Sequence, residues 1–151
     1  MPIPAPITVI ADTREQRVWS FDPTRFVVER GTLQTGDYTV RGLESRLRIE
    51  RKGLGDFVQT VISDWIRFRK ELYRLAFFDV ALIVVEADLS DVFAKRYESD
   101  ATPESVIGRA NGIFLDHGVQ VAWWGSRTRC VSMVENFLAL AAKKLGLAEV
   151  A

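Results

Sequence analysis

The sequence predicts an α/β domain, a central mixed β-sheet flanked by helices. Three observations carry this. Short apolar, β-branched runs of strand length cluster in the first third of the chain. Amphipathic patterns with three- and four-residue spacing dominate the rest. A fully apolar run, 81–85, sits between two such patterns, as a strand covered on both faces would.

In chain order, 7–11 reads as a buried strand that runs into a polar loop, 12–16. Segments 26–29 and 33–40 are further strand candidates, the second paired as a hairpin with 46–52 across a turn at 41–45. Gly53 and Gly55 end that strand. Phe57, Val61, Trp65, Phe68, Leu72 and Leu75 then mark one buried face of a long helix, with Arg67, Lys70 and Arg74 together on another. Thr102 and Pro103 form an N-cap and first-turn pair for a helix ending near Gly118. A strand at 119–124 and a helix at 127–145, with Val131, Val134, Leu138 and Ala141 inward and Gly146 as its stop, complete the chain. The predicted sheet is hairpin-paired in its first half and crossover-connected in its second.

At 151 residues the chain fits one domain, expected to span 1–151 with its core at about 7–145. A single cysteine excludes an internal disulfide framework and a multi-cysteine zinc site. The longest apolar run is strand-sized, and the start lacks the basic and long apolar regions of a secretory signal. The expectation is a cytoplasmic protein with no membrane association. Net charge is zero, yet residues 41–75 hold nine Lys/Arg against five Asp/Glu, so a basic working face is compatible with the neutral total. Scattered, solvated charge would give the same count.

The stretch 46–52, RLRIERK, alternates, with Leu47 and Ile49 facing one way and Arg48, Glu50 and Lys52 the other. Asp37 lies on the partner strand, where a suitable register sets its carboxylate beside Glu50. Two hard carboxylates can hold Mg²⁺ or Mn²⁺. A neighbouring lysine can orient water or neutralise charge developing on a phosphate. A charged solvent-facing strand would alternate identically.

Several motifs in one order narrow the reading. Gly36-Asp37, a gap, Glu50-Arg51-Lys52, three residues and Asp56 resemble the signature of the XPF-type structure-specific nucleases, whose form is Gly-Asp, a variable gap, Glu-Arg-Lys, any three, Asp. Residues 9–15, VIADTRE, are similar to the first strand and Asp-x-Arg-Glu loop of that family, and the order of later elements matches.

The resemblance implies a restriction-endonuclease-like PD-(D/E)xK fold and a Mg²⁺- or Mn²⁺-dependent endonuclease for branched, forked or flap DNA, taking part in repair or recombination. It implies Asp37, Glu50 and Asp12 as metal ligands, with Lys52, Glu15 and Arg51 beside them. Arg14, Arg67, Lys70 and Arg74 become the DNA-binding candidates. Arg51 points away from Glu50 and is equally read as a structural ion pair, and Asp56 as a helix-start residue. Where the family carries Gly-Arg in its first helix this chain reads Asp64-Trp65, leaving Arg67 as the replacement. No tandem helix-hairpin-helix module of the kind common in the family is expected after this layout, which resembles short bacterial or phage nuclease-only forms. A homodimer or partner protein is expected, with Val106, Ile107, Phe114 and Phe137 as candidate contacts. A catalytically silent DNA-binding or dimerisation module and a restriction-type duplex nuclease are the rival readings. His117 reads as a helix-end residue, Cys130 as a core residue, and Trp123 and Trp124 as core packing, with one of the two also open to stacking on a base or covering a dimer interface.

Overall fold

A computed structural model describes residues 5–147. Residues 1–4, where the Pro-Ala-Pro lead-in starts, and 148–151 lie outside the described residues. The elements are β1 (Ile7–Asp12), β2 (Phe26–Gly31), β3 (Tyr38–Val40), β4 (Leu47–Lys52), α1 (Leu54–Ile62), α2 (Trp65–Leu75), β5 (Val80–Val85), α3 (Leu89–Phe93), α4 (Pro103–His117), β6 (Gln120–Trp123) and α5 (Arg127–Lys144). The strands make one mixed sheet in the order β2-β1-β3-β4-β5-β6. The β1–β2, β4–β5 and β5–β6 pairs are parallel; β1–β3 and β3–β4 are antiparallel. The predicted α/β architecture with a mixed central sheet is the one observed.

Two apolar layers sandwich the sheet because its strands alternate. Leu47, Ile49, Leu82 and Val84 face α5, meeting Cys130, Val134 and Leu138. Ala81, Ile83 and Val85 face the other way, against Phe57 and Val61 of α1, Leu72 of α2, and Val106 and Ile113 of α4. β5 is therefore covered on both faces. The Thr102 hydroxyl accepts the Ser105 N–H to open α4, and Gly118, at φ +70°, closes it. Ser126 caps α5 in the same way through the Arg129 N–H. Among the described residues no helix is long and apolar enough to cross a membrane.

Four details differ from the sequence expectation. The strand expected at 33–40 is reduced to three residues. In the segment before it, the Leu33 N–H is taken by the Asp12 carboxylate at 2.9 Å, and Gly36 sits at φ +80°. The long helix is two, broken at Ser63 and Asp64, residue types that compete with helical hydrogen bonding. β1 and β2 run parallel instead of as a hairpin, so the link 13–25 crosses the sheet and buries Trp19 and Phe21. The short α3 had no periodic signal to reveal it; the Asp91 carboxylate accepts the Asp88 N–H at 2.9 Å at its start.

Gly36 delivers the chain into β3. A Cβ at this position would meet the Ile49 carbonyl at 3.3 Å and the Arg48 side chain at 3.2 Å, on a backbone already at positive φ. Gly36→Ala is expected to lose about 1–2 kcal/mol in urea unfolding. Gly118→Ala, with open space around it, should lose only its conformational share, about 1 kcal/mol.

Candidate active-site cleft

The β3–β4 register builds the site. Tyr38 pairs with Ile49, which sets Asp37 opposite Glu50. The Asp37 N–H donates to the Ile49 carbonyl at 2.8 Å, and its carboxylate accepts the Arg51 N–H at 2.7 Å. The Asp37 side chain thus continues the ladder that the short β3 leaves unfinished, and stays beside Glu50. Its carbonyl accepts the Asp12 N–H at 2.8 Å, tying the end of β1 to the same point.

Glu50 and Lys52, two apart on β4, emerge on the α1/α2 side. Their side chains are only 13% and 22% exposed, and Lys52 Nζ lies 3.8 Å from Glu50 Oε1 and 5.8 Å from the Phe68 ring centre. Burial pushes the Asp37 carboxyl up to about 6. Nearby Glu15 adds to this, while the Arg51 N–H and the Lys52 and Arg51 charges oppose it. Burial and the Asp37 charge push Glu50 up to about 8 against the pull of Lys52. At neutral pH the pair therefore keeps a proton, mainly on Glu50, and its remaining negative charge is matched by Lys52; a bound cation would displace that proton and recruit both carboxylates. This oxygen-donor set fits a hard divalent cation whose other positions go to water and a phosphate oxygen. No group of three or more His, Cys, Asp or Glu side chains placed to hold a metal occurs among the described residues.

These three side chains line a cleft of about 640 Å³. Its wall is the polar face of α2, which brings Arg67, Lys70 and Arg74 to the same opening, and Arg14 enters from the β1 loop. Arg74 is paired with Glu71 at 3.0 Å.

The remaining expected residues lie around this cluster. Asp12 is fully buried, its carboxylate accepting the Leu33 N–H at 2.9 Å and the Arg14 Nε–H at 2.6 Å. Burial raises its proton affinity, but the Leu33 N–H and Arg14 outweigh it and hold Asp12 below the usual carboxylate range. Its direct partners are protein groups, and it orients Arg14. Glu15 is turned from the cleft: its carboxylate accepts from Arg51 Nε at 2.9 Å and from the Tyr38 hydroxyl at 3.2 Å. Arg51 points to the α5 face, as the alternation of β4 requires, and also pairs with Glu86. Asp56 is the third residue of α1, whose cap, Gly53, makes no side-chain bond.

Sequence reading did not single out Glu86, Tyr38, Trp19 or Arg127. A signal existed: Arg51 sits at an apolar-face position of β4, and a cation there needs a buried counter-charge. Glu86, ending an otherwise apolar strand run, was the available one. Elsewhere, His117 ends α4 with its ring 5.3 Å from that of Tyr73. Cys130 is buried, its thiol pushed up to about 11 by burial. Trp123 packs edge-on to Phe57, and Trp124 packs on Phe137. Of the candidate contact residues, Val106 is core, Ile107 and Phe137 are half-buried, and Phe114 is exposed.

Comparisons with known proteins agree with this layout. Residues 11–137 match the ERCC4 domain family. Over 116 residues, 77% of the chain, it is 29% identical to a protein of Methanocaldococcus jannaschii described as an ATP-dependent RNA helicase, of which it spans 13%. Among solved structures it superimposes on XPF from Aeropyrum pernix with TM-score 0.72 and 23% identity, covering 95% of this chain and 65% of that one. XPF from the same organism in complex with DNA gives 0.69 and 24%, covering 95% and 68%.

Acids whose pKa is raised by folding weaken the fold as pH climbs, because the unfolded chain releases those protons first. For Asp37 and Glu50 the loss begins near pH 4 and is complete above about pH 8. In EDTA at pH 8.5, Glu50→Gln should therefore melt roughly 3–6 °C above wild type, as about 1–2 kcal/mol would give in a domain this size. At pH 4 the two should converge. Equal melting temperatures at both pH values would contradict the cost of ionising these buried carboxyls.

Proposed function

This chain belongs to the ERCC4 domain family, and we propose that it is a divalent-metal-dependent DNA endonuclease acting at branched or flap structures. The observation that carries this reading is the pair of buried carboxyls, Asp37 and Glu50, with Lys52 3.8 Å from Glu50, in a cleft whose wall carries Arg67, Lys70 and Arg74 beside Asp64 and Glu71. The DNA complex of the structurally similar XPF from Aeropyrum pernix supports DNA as the polymer.

In this reading Asp37 and Glu50 hold Mg²⁺ or Mn²⁺. When bound, the ion supplies Lewis acidity toward a phosphodiester oxygen and toward the attacking water. Lys52 adds a compact positive charge where negative charge grows on the phosphate. Arg67 and Lys70, one helical turn apart, track successive phosphates of the entering strand. Arg14, held by Asp12, closes the opposite side of the opening. Hydrolysis would leave a 5′-phosphate. Asp12 and Glu15 contribute through Arg14 and Arg51, which they orient.

Labelled flap, fork, bubble and linear duplex DNA, incubated with Mn²⁺, tests the assignment. Wild type should cut the branched substrates preferentially, while Asp37→Ala and Glu50→Ala should each lose roughly 10³-fold in kcat, a few kcal/mol of transition-state stabilisation. A folded protein that binds these substrates and cuts none would be a silent binding module. Equal cutting of linear duplex would favour the restriction-type reading. Replacing Arg67 and Lys70 with alanine should weaken branched-DNA binding about tenfold and lower the salt dependence of log Kd by about 2.

A further inference from the structure

On the face of β4 opposite the cleft lies a closed set of charges that the proposed chemistry does not use. The Arg51 guanidinium donates to Glu15 through Nε at 2.9 Å and to Glu86 through Nη1 at 2.5 Å. The other Glu86 oxygen accepts from Trp19 Nε1 and Arg127 Nη1, each at 3.4 Å. Arg127 starts α5, and its second amino group binds the Arg17 carbonyl. The Glu15 and Glu86 side chains are 10% and 12% exposed, so both carboxylates are largely withdrawn from water and satisfied by these partners. Three elements that share no ladder hydrogen bonds, the end of β4, the 13–25 link and α5, converge on one carboxylate.

The position of that carboxylate gives the set its consequence. Beyond the Tyr38–Ile49 pair, β4 loses its β3 partner, and the Arg51 N–H is met instead by the Asp37 side chain. The residues that must be held most accurately, Glu50 and Lys52, therefore lie where the strand is laddered on one edge only. Glu86 compensates twice. Its N–H donates to the Lys52 carbonyl at 2.8 Å, and its carboxylate fixes the side chain between Glu50 and Lys52 in sequence.

We propose that Glu86 is a positioning residue for the cleft, acting through Arg51 to hold the end of β4 so that Asp37 and Glu50 converge on a single divalent ion. The proposal rests on the metal-dependent reading above. Its effect belongs on ion affinity and turnover and not on DNA binding, since the Glu86 side chain lines neither the cleft nor its basic wall. Groups behind metal ligands, when removed, typically weaken metal affinity by 10–100-fold.

The test titrates Mn²⁺ itself, following the free-ion paramagnetic resonance signal, in wild type, Glu86→Gln, Glu86→Asp and Val134→Ala. The last removes buried volume on the same face without touching the charges. Cleavage of a labelled flap, flap affinity in EDTA and melting temperature are measured on the same samples. Glu86→Gln should bind Mn²⁺ at least tenfold more weakly and lose kcat in proportion, with flap affinity within twofold of wild type. Glu86→Asp should recover part of both, and Val134→Ala should lower the melting temperature while leaving Mn²⁺ affinity intact. Unchanged Mn²⁺ affinity in Glu86→Gln, or an equal loss in Val134→Ala, would overturn the role of Glu86. A wild type that binds Mn²⁺ but cuts no DNA would sink the nuclease reading alone, leaving the positioning role to be judged by the titration.

Discussion

The constraint on which the cleft depends is a pair of carboxyl groups that the fold brings together out of water, raising the proton affinity of both. Asp37 and Glu50 lie beside each other because the short antiparallel pairing sets Tyr38 opposite Ile49, and the Lys52 ammonium lies 3.8 Å from Glu50. A polar pair placed this way raises the free energy of the folded state, and it persists only because the surrounding structure is over-determined. That surrounding structure is the doubly covered sheet, with apolar layers on both faces of β5 and nearly every inward side chain fully buried. The core supplies the stability that the cleft consumes.

β4 shows how one strand serves both needs. Its odd positions, Leu47, Ile49 and Arg51, begin as core and end as an ion pair; its even positions carry Arg48, then Glu50 and Lys52. Arg48 stacks over Phe78 at 4.6 Å and donates to the Thr35 carbonyl, fixing the chain that leads to Asp37. The strand is apolar where it needs only to pack, and charged on both faces where it approaches the cleft. The cations and anions on its two faces answer different demands. Those beside α2 open to the cleft, and those beside α5 are closed among themselves.

Much of this could be read from the residues. Alternation in 46–52 identified the cleft face, three- and four-residue spacing identified the basic side of α2, and the Thr102-Pro103 pair fixed the start of α4. The failures share a cause. Strand 33–40 was overextended, and the helix was read through Ser63 and Asp64, because periodicity in apolar residues continues where the backbone does not. Side chains such as Asp12 substitute for ladder partners and leave no trace in a hydrophobic pattern. Asp12 and Glu15 could be assigned to the neighbourhood of the cleft, but not to their direct partners: that Asp12 accepts the Leu33 N–H and Glu15 pairs with Arg51 follows from contacts far apart in sequence. Glu86 was missed because its significance lies in a contact thirty-five residues away in sequence.

Cys130 turns the architecture into something observable. It is the only thiol in the chain and lies under the first turn of α5, fully buried, its sulfur 3.5 Å from the Gly125 carbonyl. A thiol-directed reagent can reach it only when α5 lifts from the sheet. The labelling rate of the native protein is therefore a clock for that opening, read without any introduced probe. Since Arg127 anchors the same turn of α5 to Glu86, the clock also reports how firmly the charges behind the cleft hold their helix in place.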